Sequence, residues 1–129
     1  MTRRELLAGS ALILAALVSP AWADAEERYE ARAFEAALAS GRPLVVHVYA
    51  GWCPVCRAQK PVFEALAKDK AFEGVGFVMV DFDRDKEFLR AHRVATQSVI
   101  LGFKNGQEAA RLLGATDADT IRAGLLGAL

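Results

Sequence analysis

The only two cysteines in the chain stand in one motif, Cys53-Pro54-Val55-Cys56, a spacing that permits reversible redox chemistry. The two thiols can close a small disulfide ring and exchange it with the disulfide of another protein. An apolar run (44–50) precedes them and a helical pattern follows, so Cys53 is expected at a helix N-terminus. Unpaired N–H groups and the helix dipole favour a thiolate there, and the thiolate is the nucleophile.

Cys56, one turn further along, is expected to be more buried and to resolve the mixed disulfide formed by Cys53. Pro54 suits the first helical turn, where its missing N–H would be unpaired in any case. Trp52 beside the nucleophile is predicted to form part of a substrate platform, or to pack locally, or both. The alternative for the cysteine pair is a permanent disulfide, but so small a ring constrains little of the unfolded chain.

The first 23 residues predict a signal peptide. A positive start, Thr2-Arg3-Arg4, precedes an apolar stretch (6–18) and the small-x-small sequence Ala21-Trp22-Ala23. That stretch is shorter than the roughly 20 residues that span a membrane, so an uncleaved anchor is the weaker alternative. The paired arginines fit a general secretory or a twin-arginine signal. Either route predicts a periplasmic protein, in a compartment where disulfides persist.

The remaining residues, 24–129, are expected to form one domain. They carry 14 basic and 15 acidic side chains and no basic patch, so nucleic acid is not an expected partner. The expected partners are disulfide-bearing proteins and a membrane electron-transfer protein, and the chain is expected to be a monomer.

Hydrophobic periodicity predicts an α/β domain in the order α-β-α-β-α-β-β-α. The predicted helices are 24–40, a segment from the cysteines to about residue 68, 85–92 and a last helix with a capping box at Thr116 and Asp119; the predicted strands are 44–50, 75–82, 99–103 and 108–113. Pro61 is expected to kink the second helix, and Asn105-Gly106 predicts a tight hairpin.

These features resemble the thioredoxin superfamily. Trp-Cys-x-x-Cys follows a buried strand, Pro61 lies five residues after Cys56, and Phe103 to Gly106 followed by Gly114 matches the family's terminal hairpin. The resemblance implies a three-layer α/β/α fold and thiol–disulfide oxidoreductase activity. Little room remains for the family's additional N-terminal strand, so a mixed sheet of about four strands is expected.

Three positions depart from the family pattern. Pro54-Val55 lies between the cysteines, His47 replaces the family's buried acid, and Ser98 stands where the family has a cis-proline. A cis bond before a non-proline residue costs about 2.5–4 kcal/mol, so this loop is expected to be trans or reshaped.

The resemblance also implies roles for these residues. His47 would lie beneath the cysteines, where a neutral imidazole can take the Cys56 proton; the alternative is a core histidine hydrogen-bonded to backbone. Gln97 and Ser98 would face Cys53 and, with Trp52 and Pro54, bind an extended substrate peptide; the alternative is simply a loop.

Two functions follow as hypotheses. The first is an exported thiol–disulfide oxidoreductase, leaning towards a reductase, whose only redox group is the Cys53–Cys56 disulfide and which needs no cofactor. The second is a non-enzymatic metal or cluster carrier or a partner-docking domain. One cysteine pair supplies too few ligands for a structural zinc site, and Arg57 stands where haem attachment needs histidine. A cluster shared between two chains is the remaining metal hypothesis.

Overall fold

The computed structural model describes residues 26–129, which form five strands, four α-helices and one short 3-10 helix. In chain order they are β1 (Glu26–Arg28), α1 (Ala31–Ala39), β2 (Leu44–Tyr49), α2 (Pro54–Ala67), the 3-10 helix (Lys70–Phe72), β3 (Gly76–Asp81), α3 (Lys86–Ala91), β4 (Val99–Lys104), β5 (Gln107–Leu113) and α4 (Ala118–Leu126). The predicted signal peptide, 1–23, lies outside the described residues.

The strands form one mixed sheet in the order β1-β3-β2-β4-β5. β1, β3 and β2 run parallel, whereas β4 and β5 are antiparallel to their neighbours. The predicted α/β class and mixed sheet are therefore confirmed. Within residues 26–129, no helix is long and apolar enough to cross a membrane.

The predicted N-terminal helix and the expected four-stranded sheet were both wrong in one respect. A three-residue strand, Glu26–Arg28, precedes the first helix and pairs in parallel with β3 as the fifth strand. The helix begins only at Ala31, where the Glu30 carboxylate accepts hydrogen bonds from the N–H groups of Arg32 and Ala33. Three residues are too few to show an alternating pattern, and their partner strand lies about fifty residues away in the sequence.

The last helix also begins differently from the prediction. Asp117 caps it, because its Oδ2 accepts from the Thr120 N–H at 2.8 Å. The predicted cap at Thr116 was therefore wrong by one residue. The hairpin prediction is confirmed, since β4 and β5 are joined by Asn105 and Gly106, which have φ of 52° and 78° as a type I′ turn requires.

Successive side chains of β2 point to opposite faces of the sheet, and the core therefore has two halves, one on each face. Val46 and Val48 face α1 and α3, whereas Val45 faces α2 and α4. Residues of the first half include Phe34, Val80, Phe88 and Leu101; those of the second include Phe63, Phe77, Ile100, Ile121 and Leu125. β2 is buried on both faces, and the segment after it therefore starts from a rigid strand.

His47 is a fully buried polar residue within this apolar strand. Its ring stacks on Phe63, with ring centroids 4.3 Å apart and planes 6° from parallel. Burial lowers the pKa of His47 from 6.5 to about 4, although the hydrogen bond from its ring to Gln59 opposes this shift. The imidazole is therefore neutral at physiological pH.

This shift predicts a stability loss in acid. Between pH 6.5 and 4 the unfolded chain binds a proton at His47 while the folded chain does not. By pH 4.5, the free energy of unfolding should have lost on the order of 2–3 kcal/mol from this group alone. We expect His47→Leu to lose that much less than wild type between pH 7.5 and 4.5 in urea unfolding.

Only the difference between the two proteins reports on His47, because Glu26 acts in the opposite direction. Burial raises the pKa of Glu26 to about 7, so that its contribution to stability grows as the pH falls. Equal pH dependence in wild type and His47→Leu would show that the imidazole is not buried in the neutral form.

Candidate active site

Cys53 occupies the N-cap of α2. Its backbone is extended (φ −92°, ψ 115°), and its Sγ accepts a hydrogen bond from the Cys56 N–H at 3.2 Å. Pro54 follows as the first helical residue, as the sequence predicted, and its side chain is exposed. The sulfur therefore takes the position that a serine or aspartate oxygen has in ordinary helix caps.

The environment of Cys53 favours its thiolate. The residue is only 2% exposed, and this burial raises its pKa. Hydrogen bonds from the thiol and N–H of Cys56, and from the side chains of Ser98 and Gln97, outweigh burial, and the pKa of Cys53 is lowered overall. Ser98 Oγ lies 3.8 Å from Cys53 Sγ.

Cys56 lies in the opposite environment. It is fully buried, and burial is the main cause that raises its pKa, followed by the hydrogen bond that its thiol gives to Cys53. Its Sγ lies 3.8 Å from the carbonyl oxygen of Val48. Both cysteines are free thiols, so the structure represents the reduced dithiol, with one sulfur poised as thiolate and the other kept protonated.

Trp52 lies on the surface beside Cys53 with 58% of its area exposed. Its indole Nε1 donates to Asp83 Oδ2 at 2.9 Å, and its ring meets the edge of Phe82 with centroids 6.4 Å apart. These contacts hold the indole while leaving an apolar face open to solvent. Asp83 is a partner that the sequence analysis missed, because 31 residues separate it from Trp52 and no pattern links them.

Ser98 lies directly opposite Cys53 in a left-handed backbone conformation, with φ of 59°. Its N–H donates to the Val48 carbonyl at 2.9 Å, and its carbonyl accepts from the Gly114 N–H at 3.0 Å. No peptide bond among residues 26–129 is cis, which agrees with the expected trans or reshaped loop. The backbone N–H and carbonyl of Gln97 have no hydrogen-bond partner within the described part of the chain.

Gln59 is a buried polar residue that the sequence analysis did not select. It lies on α2, and its Nε2 donates to the carbonyls of Ser98 (3.2 Å) and Ala115 (2.7 Å). Its Oε1 lies 3.0 Å from His47 Nε2. A glutamine among apolar positions, one helical turn after Cys56, was the available signal, but its partners are distant in sequence.

His47 is thus hydrogen-bonded to Gln59 rather than to either thiol, and its Nδ1 is buried without a partner among the described residues. This arrangement resembles the core-histidine alternative, with a side-chain amide in place of backbone.

The described residues contain no group of three or more histidine, cysteine, aspartate or glutamate side chains that could hold a metal ion. The chemistry that the described residues assemble at this place is that of two thiols with unlike acidities beside an exposed aromatic ring.

Comparison with known proteins agrees with this geometry. The sequence model of the thioredoxin family matches residues 26–126. A thioredoxin from Echinococcus granulosus is 35% identical over 86 residues, which are 67% of this chain and 78% of that protein. A thioredoxin H-type from Oryza sativa subsp. indica is 35% identical over 80 residues, 62% of this chain and 64% of that protein.

The solved structures that resemble this chain include Trxlp and several thioredoxins. Trxlp from Edwardsiella tarda EIB202 superposes with a TM-score of 0.75 at 38% identity, covering 78% of this chain and 98% of that one. The thioredoxin of Malassezia sympodialis has a TM-score of 0.74 at 23% identity, covering 81% and 91%, a likeness of fold alone. With a family match over nearly the whole described domain, the chain belongs to the thioredoxin family.

Proposed function

We propose that this protein is an exported thiol–disulfide oxidoreductase that reduces disulfides of other proteins through Cys53 and Cys56. The observation that carries the proposal is the unlike setting of the two sulfurs. Hydrogen bonds lower the pKa of Cys53, whereas burial raises that of Cys56. A nucleophile and a resolving thiol need this division of roles.

The reaction proceeds in two exchanges. The Cys53 thiolate attacks one sulfur of the substrate disulfide; that S–S bond breaks, a mixed disulfide forms, and one substrate thiolate leaves. Cys56 then loses its proton and attacks the Cys53 sulfur, which releases the second substrate thiolate. Two electrons have passed to the substrate, and the protein holds a Cys53–Cys56 disulfide.

His47 does not accept the Cys56 proton in the proposed mechanism. Burial lowers the pKa of the imidazole to about 4, far below that of a thiol, so it is a poor base for this transfer. Its hydrogen bond also goes to Gln59. The proton passes to water or to the departing substrate thiolate.

The surface around Cys53 suits an extended substrate peptide. Trp52 and Pro54 expose apolar area next to Cys53, and the side chain of Gln97 is a hydrogen-bond partner of the Cys53 sulfur. The unpaired backbone N–H and carbonyl of Gln97 can form two hydrogen bonds with a substrate strand, as in strand augmentation. Ser98 contributes its hydroxyl near the attacking sulfur.

The direction of electron flow requires a dithiol donor that reduces the Cys53–Cys56 disulfide after each cycle. We propose a membrane electron-transfer protein for this step, because the predicted signal peptide would direct the domain away from cytoplasmic reductants.

Export is tested by expression of the full chain in bacteria. N-terminal sequencing of the periplasmic protein should show a chain that begins at Asp24. An uncleaved chain confined to the cytoplasm would contradict export.

The cysteine roles are separable by mutation. With dithiothreitol as electron source and a small disulfide-bonded protein as substrate, Cys53→Ser should lose at least a hundredfold in rate, since no thiolate remains to attack. Cys56→Ser, reduced beforehand and freed of dithiothreitol, should accumulate a mixed disulfide between Cys53 and the substrate, visible as added mass under non-reducing conditions, because no internal thiol remains to resolve it. Wild-type protein that shows no turnover and instead binds zinc or iron stoichiometrically would support the carrier hypothesis.

Ser98 provides a test of the loop beside the thiols. Its left-handed backbone disfavours any residue with a Cβ, so Ser98→Gly should be about 1 kcal/mol more stable to urea than Ser98→Ala. Both variants lose the hydroxyl near Cys53 and should raise the pH midpoint of Cys53 alkylation equally. Ala95→Gly, at an exposed position in the same loop, is the control and should not gain stability. A more stable alanine variant would contradict the left-handed conformation.

A further inference from the structure

We propose that Gln59 is a positioning residue that ties the thiol-bearing helix to the Gln97–Ser98 segment and so holds Ser98 against Cys53. The proposal deepens the proposed function and rests on it, because the segment matters only if Cys53 exchanges disulfides.

The orientation of the Gln59 amide follows from its partners. Two backbone carbonyls, those of Ser98 and Ala115, lie 3.2 and 2.7 Å from one end of the amide. Only the NH₂ end can donate to both, since a flipped amide would place an oxygen against two oxygens. The amide oxygen therefore faces His47, and every hydrogen-bonding hydrogen of the side chain is in use.

The orientation of Gln59 determines the tautomer of His47. An amide oxygen only accepts, so His47 Nε2 must carry the hydrogen and donate it across the 3.0 Å separation. The other nitrogen, Nδ1, is then a bare acceptor, which matches its lack of a partner in the described chain. Burial keeps the pKa of His47 low, and the ring remains a neutral, fixed donor.

The network ends at the strained residue beside the nucleophile. The Ser98 carbonyl accepts from both the Gly114 N–H and Gln59 Nε2, and its N–H is held by Val48. A non-glycine residue at positive φ persists only where its surroundings determine it. Gln59 supplies one of those restraints from the same helix that carries Cys53 at its cap and Cys56 in its first turn.

Loss of the Gln59 amide should therefore raise the pKa of Cys53, because it would displace Ser98. The Ser98 hydroxyl is one of the groups that lower the pKa of Cys53, and its position depends on the backbone below it. A relaxed segment would also present the Gln97 backbone to substrate less regularly. A merely structural glutamine would instead affect stability alone.

Gln59→Met tests this, because methionine fills the space but cannot donate. The pH midpoint of iodoacetamide alkylation at Cys53 should rise by about half a unit or more, a threefold smaller thiolate fraction at neutral pH. Substrate kcat/KM should fall about tenfold. The control is Leu66→Ala, a buried change on the same helix away from the network, which should destabilise the protein with an unchanged midpoint. An unchanged midpoint in Gln59→Met would overturn the proposal.

A measurement on the wild-type protein covers the case in which Gln59→Met does not fold. Long-range ¹H–¹⁵N NMR of His47 should show hydrogen on Nε2 and none on Nδ1, and the Gln59 side-chain NH₂ should exchange slowly with solvent. The opposite tautomer would overturn the network. The alkylation midpoints and the NMR spectra need no disulfide substrate. If both give the expected results but the wild-type protein lacks reductase activity, the proposed function is contradicted and the positioning role of Gln59 stands.

Discussion

The hydrogen bond from the Cys56 N–H to Cys53 Sγ is the contact on which the site depends. A helix must begin with unpaired N–H groups, and here a sulfur rather than an oxygen satisfies one of them. The same contact ends the loop between β2 and α2, begins α2 and stabilises negative charge on the Cys53 sulfur. The start of α2 and the stabilisation of the Cys53 thiolate therefore depend on the same hydrogen bond.

The second constraint is the segment that faces Cys53. In this chain the residue beside the sulfur is a serine at positive φ, held through its N–H by Val48 and through its carbonyl by Gly114 and Gln59. Three hydrogen bonds thus provide the rigidity that a proline ring would provide covalently. The serine hydroxyl adds a donor to the thiolate, which a proline cannot do. The buried polar network and the altered loop are parts of one arrangement.

Prediction from sequence succeeded where a local pattern carries the information. Apolar runs predicted β2, β3 and β4, the Asn105-Gly106 pair predicted the hairpin, and the helical pattern after the cysteines predicted that Cys53 lies at the N-terminus of α2. Prediction failed at β1, because its three residues are all charged and show no apolar pattern. They form a strand only because β3 pairs with them. It also placed the cap of α4 one residue early, since Thr116 and Asp117 are both good cap residues and backbone geometry decides between them.

The sequence by itself determined the candidate reacting atoms: two thiols one helical turn apart after a buried strand, with an aromatic neighbour and a helix dipole to favour the first as thiolate. Only the tertiary structure decided how those thiols differ and what holds the segment opposite them. His47, Gln59, Ser98 and Ala115 are up to 68 residues apart in the chain. His47 and Ser98 are recognisable as departures from the family pattern, but the sequence around them does not indicate that Gln59 is their common partner. Hydrogen bonds between buried polar groups depend on which segments the core brings together, and no local periodicity records that.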